Sequence, residues 1–276
     1  MKKGQSNRLT DQQKIGHGPL TIFHKEAQVH DKGVAHTSAY VINQLSIDFP
    51  RLKFRYRKEL FKKEINDVLN NIDGQLGQTL FVEDASIRPD GGIIEVQDDK
   101  GAWRVVLVSE AKHQGKDIEN IRQGKLVGKN NDQDIMAAGN AIERAYKNIN
   151  EIANFMLAEI HFPYVLFLEG SNFLTQDVVI KRPDGREVRL VYNDGMLNRI
   201  DRLTAANYGM PINTNLCENR FVNGRGATIM LQAASIYTKG DGSHWDDGEM
   251  VKVMLDVANT SLRLLSRDLF TQLMTT

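Results

Sequence analysis

The sequence predicts an α/β protein in which helices cover both faces of a mixed central β-sheet. Three observations predict it: an apolar β-hairpin over 92–112, another apolar strand at 163–170, and amphipathic helices before and after them. Strands and helices in this order bury both faces of a sheet. The 276 residues contain no repeat and no long linker, so we expect a single domain over 1–276.

The first half of the chain starts with a polar, basic stretch, 1–16, which we interpret as a flexible arm. Apolar residues at helical spacing then predict helices over 34–47 and 58–71. Apolar runs at 92–97 and 103–112, joined by a polar turn, predict a hairpin whose second strand is central in the sheet.

The second half alternates helices and strands. Apolar residues every three or four positions predict helices from Asp132 to about Glu159 and from Asp194 to about Tyr208, and helical structure from Asp246 to Leu273. Continuous apolar or β-branched residues predict strands at 163–170 and 228–237.

The composition excludes several classes of protein. No apolar run approaches the roughly 20 residues that a membrane-spanning helix needs. The N-terminus lacks the apolar stretch of a signal peptide, so we expect a cytoplasmic protein. The single cysteine, Cys217, cannot form an internal disulfide or a Cys-rich zinc site. We interpret it as a buried small hydrophobe rather than a catalytic thiol.

The charges cancel overall, with 35 Lys and Arg against 35 Asp and Glu, but they are unevenly distributed. Residues 51–63 contain seven cations against Glu59 alone, and 1–30 and 112–129 are also basic. Acids concentrate in 83–99 and 241–256. One charged run is usually a solvated surface. Three basic segments around an acidic one suggest a polyanion held near a carboxylate-rich site.

The hairpin carries the pattern that suggests chemistry. Asp90 precedes its first strand and Glu110 and Lys112 end its second, so antiparallel pairing brings them to one edge. Glu110 and Lys112 share a face, and Ala111 points into the core and offers its carbonyl. Such oxygens suit Mg²⁺, and Lys112 can orient an attacking water. The pattern also arises by chance, and the alternative is a surface salt bridge.

The helix that follows carries polar residues on one stripe, namely Asn140, Glu143, Arg144 and Lys147. Asn pairs bidentately with adenine and Arg with guanine. Small neighbours at 137–141 would let the backbone approach bases closely. Arg199 and Arg202 lie at helical spacing further along the chain. In both helices a solvated face is the alternative interpretation.

Four strings resemble the EcoRI-type Type II restriction endonucleases of the PD-(D/E)xK nuclease family. In order they are 88–92 (RPDGG), 110–116 (EAKHQGK), 136–144 (MAAGNAIER) and 197–211 (LNRIDRLTAANYGMP). The likeness runs from about Gln5 to the C-terminus, and the sequence looks nearest to the isoschizomer RsrI. Stretches 11–50 and 214–228 differ most. The family pattern has Lys where this chain has Arg88.

The resemblance implies a single restriction endonuclease domain that forms a homodimer on double-stranded DNA. It implies magnesium-dependent hydrolysis at the palindrome GAATTC, cut between G and A, leaving four-base 5′ overhangs with 5′-phosphates. A two-fold dimer matches a palindrome because each half-site meets one copy of every reading element. Since an unguarded cutter would be lethal, a cognate DNA methyltransferase in the host is implied as well.

The resemblance also assigns roles to individual residues. Asp90, Glu110 and Lys112 would be catalytic, and Asp90, Glu110 and the carbonyl of Ala111 would hold Mg²⁺. The base-reading residues would be Met136, Ala137, Gly139, Asn140, Ala141, Arg144, Arg199 and Arg202. The phosphate-contact residues would be Arg88, Gly115, Lys116, Lys147 and Asn148.

Two alternatives stay open from the sequence. A structure-specific or repair nuclease could use the same metal site without reading sequence, and it would cut a plasmid at random positions. A catalytically inert, sequence-specific DNA-binding protein would bind tightly without magnesium-dependent cutting. The presence of Asp90, Glu110 and Lys112 weighs against the second alternative.

Overall fold

A five-stranded sheet with helices on both sides forms the centre of the computed structural model, which describes residues 25–77, 84–125, 139–192 and 213–274. The helices in these ranges are α1 (Lys25–Asp48), α2 (Lys62–Ile72), α3 (Asp117–Arg122), α4 (Gly139–Phe155), α5 (Asp247–Leu264) and α6 (Phe270–Met274), with a 3₁₀ turn at Ser171–Phe173. The strands are β1 (Phe54–Arg57), β2 (Leu60–Phe61), β3 (Ser86–Ile87), β4 (Gly92–Gln97), β5 (Trp103–His113), β6 (Tyr164–Glu169), β7 (Val178–Lys181), β8 (Glu187–Leu190), β9 (Arg220–Gly224), β10 (Ala227–Leu231) and β11 (Ser235–Thr238).

The central sheet is mixed, as the sequence predicts. Its strand order is β1-β4-β5-β6-β11. β4 pairs antiparallel with β1 on one side and with β5 on the other, and β6 pairs parallel with both β5 and β11. The predicted hairpin is confirmed, because Gly92 of β4 pairs with Ser109 of β5. The expected α/β class is therefore confirmed, and the hairpin's open end lies in the middle of the sheet.

Both faces of the sheet are buried, which explains why its inner strands carry apolar residues on both sides over most of their length. In β6, Tyr164 and Leu166 belong to a core that includes Ile65 of α2 and Ile149 of α4. Val165 and Phe167 of the same strand face the opposite core, which α1 and α5 cover. A strand buried on two faces has no polar side to alternate with its apolar one.

The helix predictions hold with shifted boundaries. Within the described residues, α1 covers Lys25–Asp48 and so contains the predicted 34–47. The helix predicted over 58–71 begins at Lys62, because residues 60–61 pair with 86–87 as β2 and β3. For the helix predicted from Asp132, the structure describes α4 over Gly139–Phe155, followed by turns instead of helix to Glu159.

The C-terminal helical prediction is confirmed over α5, whose Asp246 and Glu249 form a capping box. Residues 265–269 then interrupt the helix before α6. The prediction of one strand over 228–237 is wrong. β10 turns back on β9 as a separate hairpin, and after residues 232–234 the chain enters the central sheet as β11. The helix predicted from Asp194 to Tyr208 and the arm at 1–16 lie outside the described residues.

No helix among the residues that the structure describes has the length and apolar character needed to cross a membrane.

Cys217 is buried, as the sequence predicts, and its Sγ lies 3.2 Å from Oγ of Ser261. Burial raises the pKa of its thiol to about 11. Because the thiolate is the reactive form, we expect a thiol-specific disulfide reagent at pH 8 to leave the native protein unmodified and to label one thiol per chain after unfolding. Fast labelling of the native protein, timed by absorbance, would contradict this assignment.

Candidate active site

The open end of the β4–β5 hairpin brings the three predicted catalytic side chains together. Nζ of Lys112 lies 2.5 Å from Oδ2 of Asp90 and 2.6 Å from Oε1 of Glu110. The backbone nitrogen of Ala111 lies 3.4 Å from the same Asp90 oxygen. Two carboxylates thus flank one ammonium at the end of a central strand, as the antiparallel pairing predicts.

The turn that carries Asp90 is fixed from two sides. Ser38 of α1 donates its hydroxyl to the carbonyl of Gly91 at 2.7 Å, and the amide of Gly91 donates to the carbonyl of Ser109 at 2.9 Å. A Cβ on Gly91 would lie 2.1 Å from Oγ of Ser109, so this position has no room for a side chain. Sequence reasoning missed Ser38, which lies 53 residues from Gly91 and belongs to no local motif.

Glu110 is fully buried, and both of its oxygens are hydrogen-bonded. The hydroxyl of Tyr164 donates to Oε2, and Nδ2 of Asn148 donates to Oε1 at 3.0 Å. Burial raises the pKa of the Glu110 carboxyl, and the charge of Lys112 offsets part of that rise. The sequence predicts that Asn148 contacts a DNA phosphate. In the protein without DNA, its side-chain amide instead donates to the buried carboxylate of Glu110.

Lys112 keeps its charge despite burial. Burial alone would lower the pKa of its ammonium, but Glu110 and Asp90 together raise that pKa above its ordinary value. The pKa of the Tyr164 hydroxyl is also raised, by burial first and by the neighbouring Glu110 second. Tyr164 thus stays a hydrogen-bond donor to the carboxylate throughout the physiological range.

The donor set fits a hard divalent cation. Asp90 and Glu110 offer carboxylate oxygens, and the Ala111 carbonyl belongs to the same strand end. The side chain of Ala111 is fully buried in the opposite core, as the sequence predicts. Mg²⁺ prefers such oxygens and shares the remaining positions with water and phosphate. The ammonium already held between the carboxylates shows that this position favours positive charge.

The predicted reading helix has the expected two-sided pattern. Glu143, Arg144 and Lys147 of α4 are exposed, while Ala145 and Ile149 are buried against the sheet. Gly139, Asn140 and Ala141 belong to its first turn, but their side chains lie outside the described part of the chain. Met136, Ala137, Arg199 and Arg202 also lie outside the described residues.

Arg88, Gly115 and Lys116, which are predicted to contact phosphate, lie near the same end of the sheet. Arg88 precedes the Asp90 turn, is 63% exposed and pairs with Glu59 at 2.7 Å. Gly115 has φ +89°, and Lys116 occupies the N-cap position of α3, three residues after the end of β5. An added Cβ on Gly115 would lie 2.3 Å from Oγ of Ser171, so this turn requires glycine.

The basic segment 51–63 is less available to a polyanion than its charge count suggests. Arg55 pairs with the buried Glu95 at 2.6 Å, and Arg57 contacts Glu64. Lys62 pairs with Glu151 at 2.6 Å. The sequence alone could not indicate these pairs, since the Arg55–Glu95 pair depends on the β1–β4 register. Part of the zero net charge therefore comes from cations and acids that pair with each other within the fold.

A second cluster, which sequence reasoning missed, begins one residue beyond Lys112. Nδ1 of His113 and Nδ1 of His244 each lie 3.0 Å from Oε1 of the buried Glu169. The backbone nitrogen of Trp245 donates to the other Glu169 oxygen at 2.7 Å. The two histidines and Glu169 are close enough to hold a metal ion. The cluster ties the segment before α5 to the ends of β5 and β6.

The protein has the features of the α/β restriction endonuclease fold: a mixed sheet covered on both faces, a buried Glu-x-Lys at a strand end and an Asp on the adjoining turn. The family profile described as "Restriction endonuclease EcoRI" matches residues 16–272. The chain is 65% identical to the Type II restriction enzyme EcoRI of Escherichia coli over 271 residues, 98% of each chain. It is 54% identical to the Type II restriction enzyme RsrI of Cereibacter sphaeroides over 267 residues, 97% of this chain and 96% of that enzyme.

The chain therefore belongs to the EcoRI family of restriction endonucleases and is a Type II enzyme. The expected family is confirmed. Of these two relatives the E. coli enzyme has the higher identity, so the expectation that RsrI is nearer is wrong.

Proposed function

We propose that this enzyme cuts both strands of DNA at GAATTC, between G and A, in a magnesium-dependent reaction that leaves four-base 5′ overhangs with 5′-phosphates. The observation that carries the proposal is the meeting of Asp90, Glu110 and Lys112 around one point in a chain of this family. The target sequence itself rests on the four strings that resemble the family pattern.

The chemistry is hydrolysis of a phosphodiester. Asp90 and Glu110 would hold the cation together with the Ala111 carbonyl. A bound Mg²⁺ would supply the positive charge that polarises a phosphoryl oxygen and eases deprotonation of the attacking water. Lys112 orients the attacking water and stabilises the negative charge that builds on the phosphoryl oxygens. The new bond joins the water oxygen to phosphorus, the P–O3′ bond breaks, and the 3′ oxygen leaves with a proton.

Recognition would use the base-reading and phosphate-contact residues, supplied twice by a homodimer. Asn140, in the first turn of α4, would read adenine, and the exposed Arg144 would help read or position the neighbouring bases. Each good bidentate base contact contributes about 1–3 kcal/mol of discrimination. A palindrome presents every such contact in both half-sites, so the dimer doubles the effect.

Asn140→Ala tests the reading role. We expect the rate of GAATTC cleavage to fall by about 10–100-fold, because the side-chain amide that pairs with N6 and N7 of adenine is lost. The cleavage rate of duplexes with another base pair in place of the adenine should fall much less. Competitive cleavage of single-base variants by the wild type and the variant measures this change. Unchanged discrimination at adenine would remove Asn140 from the reading role.

A digest of DNA of known sequence tests the proposed function as a whole. With Mg²⁺, we expect discrete fragments whose ends map between G and A of every GAATTC, and no cutting in excess chelator. Cuts scattered over the DNA would support a structure-specific or repair nuclease instead. Tight binding to GAATTC without any Mg²⁺-dependent cut would identify an inert DNA-binding protein.

We propose that residues 1–276 form one restriction endonuclease domain with a basic arm at 1–16, and that the enzyme acts in the cytoplasm. A cognate methyltransferase would protect host DNA by modifying the same site. The methyltransferase would be a functional partner only and would not bind the endonuclease.

A further inference from the structure

The hydroxyl of Tyr164 is a buried polar group beside the proposed metal centre. Tyr164 begins β6 and pairs in register with Val108 of β5. Its side chain is fully buried, and its ring stacks on Phe162 with centroids 5.8 Å apart. Glu110 lies two positions beyond Val108 along β5, and the hydroxyl of Tyr164 donates to its Oε2.

The donors to Glu110 are divided between its two oxygens. Asn148 and Lys112 both approach Oε1, at 3.0 Å and 2.6 Å. The hydroxyl of Tyr164 is the hydrogen-bond partner at Oε2 among the described residues. A carboxylate with no solvent contact needs such donors, and together they fix the rotation of its plane.

We propose that Tyr164 is a positioning residue for the cleavage reaction: its hydroxyl fixes the orientation of the Glu110 carboxylate toward the cation shared with Asp90. The inference rests on the proposed function, since it assigns Glu110 to the metal. Groups that hydrogen-bond a metal ligand orient it, and their loss lowers metal affinity or activity by about 10–100-fold.

Tyr164→Phe removes the hydroxyl and keeps the ring in its packing. The readout that does not depend on cleavage is Mn²⁺ binding, measured by electron paramagnetic resonance on enzyme bound to a duplex with a non-hydrolysable linkage at the cut position. We expect the dissociation constant for Mn²⁺ to rise about 10–100-fold. We expect the Mg²⁺ concentration at half-maximal cleavage to rise in parallel, with a smaller change in the rate at saturating Mg²⁺.

Tyr237→Phe is the matched control, because Tyr237 lies in β11 and packs into the core on the other face of the sheet. It loses a phenolic hydroxyl in the same sheet and should bind Mn²⁺ like the wild type. Metal-free affinity for a GAATTC duplex should stay within about twofold in both variants, since neither touches DNA in the proposal.

Two results would overturn the inference. One is wild-type Mn²⁺ affinity in a folded Tyr164→Phe enzyme, even if its melting temperature is lower, because the hydroxyl would then serve stability alone. The other is an equal loss of Mn²⁺ affinity when Tyr164→Phe is added to Glu110→Gln, because the effect would then bypass Glu110. Absence of cutting and of Mn²⁺ binding in the wild type would instead refute the proposed function.

Discussion

Glu110→Ala is expected to lower the rate of DNA cleavage by at least about 10³-fold at saturating Mg²⁺. Glu110 is fully buried, directly beside Lys112 and across from Asp90, so its loss removes one of two carboxylates from the proposed metal centre. A catalytic metal contributes several kcal/mol of transition-state stabilisation, and each 1.36 kcal/mol corresponds to about tenfold in rate. Single-turnover cleavage of a GAATTC duplex measures the loss.

Two further variants control this measurement. Glu110→Gln keeps the shape of the side chain but removes its charge, so we expect it to be as inactive as Glu110→Ala. Asp67→Ala removes an exposed acid of α2 and should cut like the wild type. Both Glu110 variants should still bind the duplex without Mg²⁺. Cleavage within tenfold of the wild type in Glu110→Ala would exclude Glu110 as a metal ligand.

Lys112→Met should have two large effects. Cleavage should fall by about 10²-fold or more, because the water and the developing phosphoryl charge lose their ammonium. In the metal-free protein, the free energy of unfolding should fall by about 3–5 kcal/mol, because the buried Glu110 and its partner Asp90 lose their cation. Mg²⁺ should restore part of that stability in the variant by replacing the lost positive charge. Urea denaturation with and without Mg²⁺ measures both changes.

The loss of stability in Lys112→Met should depend on pH. Burial raises the pKa of the Glu110 carboxyl in the folded protein. Removal of the ammonium raises it further, so the folded variant holds a proton that the unfolded chain has released. The stability deficit should therefore shrink as the pH falls through this raised pKa. Lys252→Met, an exposed lysine of α5, is the control and should show neither effect. A variant as stable as the wild type at every pH would contradict the ion-pair geometry.

The part of the site that depends on local geometry could be predicted from the sequence. Asp90, Glu110 and Lys112 lie on one hairpin, whose pairing follows from two apolar runs and a short turn. The mixed sheet and its covering helices followed from the order of the elements. The strand predicted over 228–237 was wrong because an apolar run does not reveal where the chain leaves one sheet and joins another.

The part that depends on long-range packing could not be predicted. Tyr164 reaches Glu110 only because β6 pairs parallel to β5, and Ser38 reaches Gly91 only because α1 crosses that end of the sheet. The contact of His113 and His244 with Glu169 joins three segments distant in sequence. In each case the residue type is common, and its role depends on a tertiary contact that cannot be inferred from the spacing of residues along the chain.

The most direct test of the metal centre is the position of a bound cation. Crystals of the enzyme with an uncleavable GAATTC duplex, soaked in Mn²⁺, would locate the ion by its anomalous scattering. We expect a peak in contact with the carboxylates of Asp90 and Glu110 and with the phosphate between G and A. A peak at the His113–Glu169–His244 cluster, with none at Asp90 and Glu110, would contradict the proposed mechanism.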